Sequence, residues 1–232
     1  SKTGTDKQEG NHCLISGNNN YNNSGNYCSI SGQNNSTNSG TRCTISGYGN
    51  HTNSGNRCSI SGNNNHTNSG SYCSISGYGN HTNEGHSCSI SGYGNYNNAA
   101  TADYTVIGGK SNDYNAGSHC AIFGELNSKT GTDKQEGNHC LISGKNNYNN
   151  SGNYCSISGE YNYNNTGTHC SISGRLNSTN SGNYCQISGY SNNSNSGTHC
   201  SISGKSNYSN SGNYSQISGK SNFSNSGTHC SI

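Results

Sequence analysis

Apolar side chains return along this chain with a fixed phase of fifteen residues. Cysteine opens each period and isoleucine follows two positions later, as in Cys28-Ser29-Ile30, Cys43-Thr44-Ile45 and Cys58-Ser59-Ile60. The anchors are Cys13, Cys28, Cys43, Cys58, Cys73, Cys88, Cys120, Cys140, Cys155, Cys170, Cys185, Cys200 and Cys230, with Thr105 and Ser215 in place of the thiol at two more. Alternation over Cys-Ser-Ile-Ser-Gly puts Cys and Ile on one strand face and both Ser on the other. So short a unit cannot bury its own apolar side chains and must stack on its neighbours. The pattern therefore predicts an all-β chain, a parallel β-solenoid or β-roll with about 15 residues per rung. The large, variable residue before each cysteine (His12, Tyr27, Arg42, Tyr72) is expected to point outward.

The other half of each period is polar. Asn stands seven residues after the anchor, at Asn20, Asn35, Asn50, Asn65, Asn80, Asn95, Asn112, Asn127, Asn147, Asn162, Asn177, Asn192, Asn207 and Asn222. Stacked at the spacing of parallel strands, about 4.8 Å, identical amides can hydrogen-bond along the axis as an Asn ladder. A second column, Asn23, Asn38, Asn53, Asn68 and Asn83, fits either a ladder or a simple turn preference.

The whole of 1–232 reads as one continuous solenoid segment, with irregular rungs at about 99–137. Two residues are inserted before Thr105, and five between Cys120 and Cys140 form a charged bulge over 128–137. Ser1–Gly17 is identical to Ser128–Gly144, so a 127-residue super-repeat (1–127, then 128–232) overlies the short one. The chain reads as an internal segment of something longer.

Composition narrows the function. Only 25% of residues are hydrophobic and 9% charged, yet one Ile per rung at fixed phase is not a disordered tract. A net charge of +2 without a basic run leaves no electrostatic footprint for nucleic acid. No stretch is apolar enough for a membrane span. The 9 acidic residues do not recur in pairs on a strand, so no catalytic residues are assigned and no enzyme is expected. No metal site is expected either, since neighbouring His and Cys face opposite ways and no CxxC occurs.

Neighbouring anchors on parallel strands lie within disulfide range. Parity suggests Cys13–Cys28, Cys43–Cys58, Cys73–Cys88, Cys120–Cys140, Cys155–Cys170 and Cys185–Cys200, the alternative being a buried column of free thiols. Acceptor sequences for N-glycans, the one covalent group foreseen and no other cofactor, fall at Asn22, Asn34, Asn35, Asn50, Asn65, Asn80, Asn149, Asn164, Asn177, Asn192, Asn207 and Asn222. An inward-facing column could not carry them.

The rung resembles that of the YadA-like head domains of trimeric autotransporter adhesins, which repeat Ser-Val-Ala-Ile-Gly. Cys28-Ser29-Ile30-Ser31-Gly32 aligns with that motif, and Asn35 stands where the family has a small inward residue. The resemblance covers nearly the whole chain. It implies a β-roll, surface exposure, adhesion and trimers. A weaker similarity links Gly47-Tyr48-Gly49 to ice-nucleation repeats.

The expected function is structural: a segment of an extracellular or cell-surface fibre, sheath or adhesin stalk. Its partners would be copies of itself, in fibres or homo-oligomers, and cell-surface glycans met by outward Tyr and His. The alternative is ice binding by the outward hydroxyls Ser29, Ser31, Thr44, Ser46, Ser59 and Ser61.

Overall fold

The computed structural model describes residues 10–127 and 135–232. Every strand among them is parallel to its neighbour, no helix occurs, and the architecture is the expected β-solenoid. The chain divides into two compact units, Ser1–Asn112 and Asp113–Ile232. Most of the charged insertion, residues 128–134, lies outside the described residues.

In the first unit, Leu14–Ile15, Ser29–Gln33, Thr44–Tyr48, Ser59–Ile60, Ser74–Ile75, Ser89–Ile90 and Val106–Ile107 form one sheet. Ile pairs with Ile throughout, so the register is one period per rung. The extra residues before Thr105 leave that register intact, since Ile90 still pairs with Ile107. A second sheet stacks Tyr21–Asn23, Ser36–Asn38, His51–Asn53, His66–Asn68 and His81–Asn83.

The second unit carries one sheet of two-residue strands: Ala121–Ile122, Leu141–Ile142, Ser156–Ile157, Ser171–Ile172, Gln186–Ile187, Ser201–Ile202 and Gln216–Ile217. Ile122 pairs with Ile142 across the longer insertion. Elsewhere its rungs touch through single parallel bridges such as Glu160↔Arg175 and Tyr148↔Tyr163.

Strands this short need sharp corners between them. Each regular rung has four residues at positive φ. In one rung they are Tyr27 (57°), Gly32 (103°), Asn34 (59°) and Thr37 (57°). Asn tolerates the left-handed region, which accounts for part of the Asn enrichment. Thr37, Thr52, Thr67 and Thr82 do not suit it, because a branched Cβ crowds the carbonyl. The stacked bonds on either side hold them there.

Two glycine columns permit the close approach of successive turns. A Cβ on Gly182 would collide with the carbonyl oxygen of Gly197, and one on Gly32 with that of Gly47. At Gly32 the φ of 103° also lies beyond what an L side chain readily adopts.

The core is thin and columnar. Ile30, Ile45, Ile60, Ile75, Ile90 and Ile107 stack in the first unit, beside a separate column from Cys28 to Cys88. In the second unit both columns merge into one cluster.

Candidate functional site

The inward side chains are spent on the stack itself. Asn50 Nδ2 donates to Ser46 O (2.7 Å), to Gly62 O (3.1 Å) and to Asn35 Oδ1 (3.2 Å). Asn35 Oδ1 also accepts the Asn50 backbone N–H at 3.0 Å. The pattern repeats at Asn65, Asn80, Asn95 and Asn112, and in the second unit at Asn147, Asn162, Asn177, Asn192, Asn207 and Asn222. Asn20 opens the series, donating to Ser16 O and accepting from Asn35 N. A buried amide has two donors and an acceptor to satisfy, and the regular rung supplies them all.

The second column is also a ladder. Asn38, Asn53, Asn68, Asn83 and Asn98 each donate Nδ2 to the preceding Asn at 2.7–2.9 Å. Asn165, Asn180, Asn195 and Asn210 do the same in the second unit. The turn reading alone does not account for these bonds.

A third, interrupted ladder, which the spacing argument misses, stands two residues before many of the cysteines. There the backbone N–H of one rung donates to a side chain of the next: Thr41 N to Asn56 Oδ1 (2.8 Å), Asn138 N to Asn153 Oδ1 (2.7 Å). Thr168 and Thr198 add their hydroxyls, bonding Asn183 and Asn213 at 3.1 and 3.2 Å. The signal in the sequence is a polar residue at this position in every rung. In the second unit the Thr168 and Thr198 bonds each join a Thr-His rung to the Asn-Tyr rung that follows it.

The expected disulfides are not formed. All 13 cysteines lie among the described residues and are free thiols. Most Sγ atoms are turned toward a glycine carbonyl at the far end of their own turn, as Cys28 to Gly40 (3.2 Å) and Cys170 to Gly182 (3.1 Å), with Ala102 in the place of glycine for Cys88. Several also accept the next cysteine's backbone N–H, as Cys28 does from Cys43 at 3.4 Å. Burial pushes the Cys200 thiol up, and hydrogen bonding to Cys120 helped by burial pushes Cys140 up to about 11. Both are therefore protonated and poor nucleophiles at neutral pH.

The glycan acceptors separate into two groups. Asn35, Asn50, Asn65, Asn80, Asn177, Asn192 and Asn207 are buried ladder members and have no room for a sugar. Asn222 is half-buried, with its Nδ2 engaged by Ser218 O and Asn207 Oδ1. Asn22, Asn34, Asn149 and Asn164 sit at corners with φ of 54–59°, exposed or half-buried. These four lie outside the buried ladders, and at Asn149 a sugar would replace the bond its Nδ2 donates to Asn164 Oδ1.

Outward side chains form their own columns. In the second unit the rings of His119, His139, Tyr154, His169, Tyr184, His199, Tyr214 and His229 stack with centroids 4.7–5.1 Å apart. Their faces are taken by each other, so only the edges are free to meet a sugar or another protein. Glu125–Lys145 (3.6 Å) and Glu160–Arg175 (3.4 Å) form an exposed row of ion pairs, each worth little in water.

In the first unit His66, His81 and Tyr96 stack at 4.6–5.0 Å, His51 lies tilted 4.9 Å from His66, and Tyr78 stacks on Tyr93 at 5.1 Å. Burial lowers the His66 pKa, reinforced by His81 and His51, and burial lowers that of His81. Among the described residues no group of three or more His, Cys, Asp or Glu is placed to hold a metal ion, and no helix is long and apolar enough to cross a membrane. No protein-family model matches the chain, and neither the curated proteins nor the solved structures hold a match for it.

Proposed function

We propose that this chain is a non-enzymatic structural segment of an extracellular fibre, sheath or adhesin stalk. One observation carries the reading: the inward Ile, Cys and both Asn columns, with the tight glycine columns, serve rung-to-rung contact. Two side-chain ladders and a third, interrupted one join the rungs in addition to the backbone bonds. Such a body resists extension cooperatively, because each rung is bonded to its neighbours through side chains as well as main chain.

The similarity of Cys28-Ser29-Ile30-Ser31-Gly32 to adhesin head repeats supports a surface location. Self-association would bring copies of this chain together as fibres or homo-oligomers, with sugars at the four corner asparagines as a coat. Electron microscopy and fibre diffraction of the native material test this. Filaments with an axial repeat of about 4.8 Å are expected. Particles that stay discrete at every concentration would count against it.

Ice binding is the second reading. Thr44, Ser59, Ser74 and Ser89 stand in paired register on an outward face of the first unit. Leu141, Gln186 and Gln216 interrupt the corresponding column of the second. Faceted ice growth in the presence of the protein would favour it.

A further inference from the structure

The first unit contains a trough of about 390 Å³ that the stack does not need. One wall is the Tyr78–Tyr93 stack and the other is the His66–His81–Tyr96 stack. Gly79 and Gly94 make its floor, with Asn64 closing one end.

The backbone does not require these glycines. Gly79 has φ of 63° and Gly94 of 59°, but the same corner holds Asn64 at 53°, Leu176 at 61° and Tyr161 at 57°. A Cβ on Gly79 would meet nothing within 4 Å. What glycine supplies here is open space between two aromatic walls.

The walls present edges. Ring faces are occupied within each stack, at 4.6–5.1 Å, and are closed to a ligand. The Tyr96 hydroxyl lies over Gly94, within 3.4 Å of where its Cβ would be. In an earlier rung His51 Nε2 leans the same way over Gly49. Polar tips thus reach over this corner in the rungs of Gly49 and Gly94, above a groove floored by glycine. No Asp, Glu, Lys or Arg lines it, and His66 and His81 are held toward the neutral form.

We infer that this trough binds a neutral, unbranched glycan lying along the stack, about one sugar per rung. Sugar hydroxyls exchange hydrogen bonds with phenol and imidazole tips, and the C–H surfaces pack on ring edges and the glycine floor. A charged polymer would find no counter-charge here. A flat aromatic ligand would leave the polar tips unpaired, which is costly once water is excluded. This goes beyond the structural role and does not depend on whether the protein polymerises.

The test titrates the protein with cellohexaose and chitohexaose, following binding by calorimetry and by the NMR resonances of Gly79 and His81. One of the two is expected to bind and to shift those resonances. Gly79→Leu places in the trough a side chain that the same corner accommodates at Leu176. It should weaken binding by at least about tenfold while leaving the melting temperature near that of the native protein. Tyr78→Phe with Tyr93→Phe keeps the stack but removes two hydroxyls, and should also weaken binding. The inference is overturned if neither hexaose binds, if binding survives Gly79→Leu, or if only a planar dye such as thioflavin T occupies the trough.

Discussion

Ser215 donates its Oγ to the Gly227 carbonyl at 3.1 Å, just as Cys200 donates its Sγ to Gly212 at 3.0 Å. Ser215 also receives the backbone N–H of Cys230 at 3.4 Å, the bond a thiol accepts elsewhere in the column. Thr105, at the other thiol-less anchor, donates to Ala102 O at 3.1 Å. The column thus asks for a small side chain with one donor and does not depend on sulfur chemistry.

Cys170→Ser should therefore cost less than about 1.5 kcal/mol, in line with swapping one weak hydrogen-bonding group for another. Reductant should leave the melting temperature of the native protein unchanged. A loss of several degrees on reduction would show that disulfides contribute after all.

Asn177→Leu should cost far more. Asn177 Oδ1 accepts the buried Asn192 N–H at 3.0 Å, and its Nδ2 serves Ser173 O at 2.7 Å. Leucine leaves that N–H without a partner, a loss of about 3 kcal/mol in chemical denaturation. Hydrogen exchange should quicken first at Asn192.

The second ladder breaks at Gln135. Gln135 Oε1 and Asn150 Nδ2 are both buried without a partner, where other rungs join such groups. Gln135→Asn shortens the side chain to the ladder's own and should stabilise the second unit by about 1 kcal/mol. Denaturant midpoints of the two proteins decide it.

Gly182→Ala drives a methyl group into the Gly197 carbonyl, and neither backbone can move without breaking the rung bonds around it. A loss above about 4 kcal/mol is expected, the range reserved for core overpacking and strain. Circular dichroism during melting would reveal a nearly neutral change, which this packing does not allow.

Stability should also fall in acid through the histidine stack. Burial, then His81 and His51, lower the His66 pKa below its ordinary value of 6.5. The unfolded chain then binds more protons than the folded one, so this contribution is complete above 6.5 and is lost as pH falls through the folded pKa. His66→Gln should flatten the dependence of the denaturation midpoint on pH in that window.

Much of this is legible from spacing alone. Cys28, Ile30 and Asn35 recur at one phase, and a fixed phase with so few apolar residues leaves stacking as the only route to a core. Gly32 marks a turn, and the phase of Tyr27 places it outward, where the structure has it. The corner conformation of Tyr27 is not legible, since nothing local favours positive φ in tyrosine. The third ladder could be read from Thr41 and Asn56, but a polar residue at an outward position looks like ordinary surface.

By itself, then, the sequence determined the solenoid, its rung length, its Ile and Asn columns and the places where the period slips, because periodicity is a one-dimensional property. Tertiary structure decided the rest. Whether Cys28 meets Cys43 or the Gly40 carbonyl depends on the direction of one side-chain bond, which spacing does not specify. Whether Asn50 can hold a sugar or only its neighbours depends on which way a corner turns. The Gly79 trough exists only because two ring columns, set apart in sequence by the corner itself, stand on either side of a missing side chain.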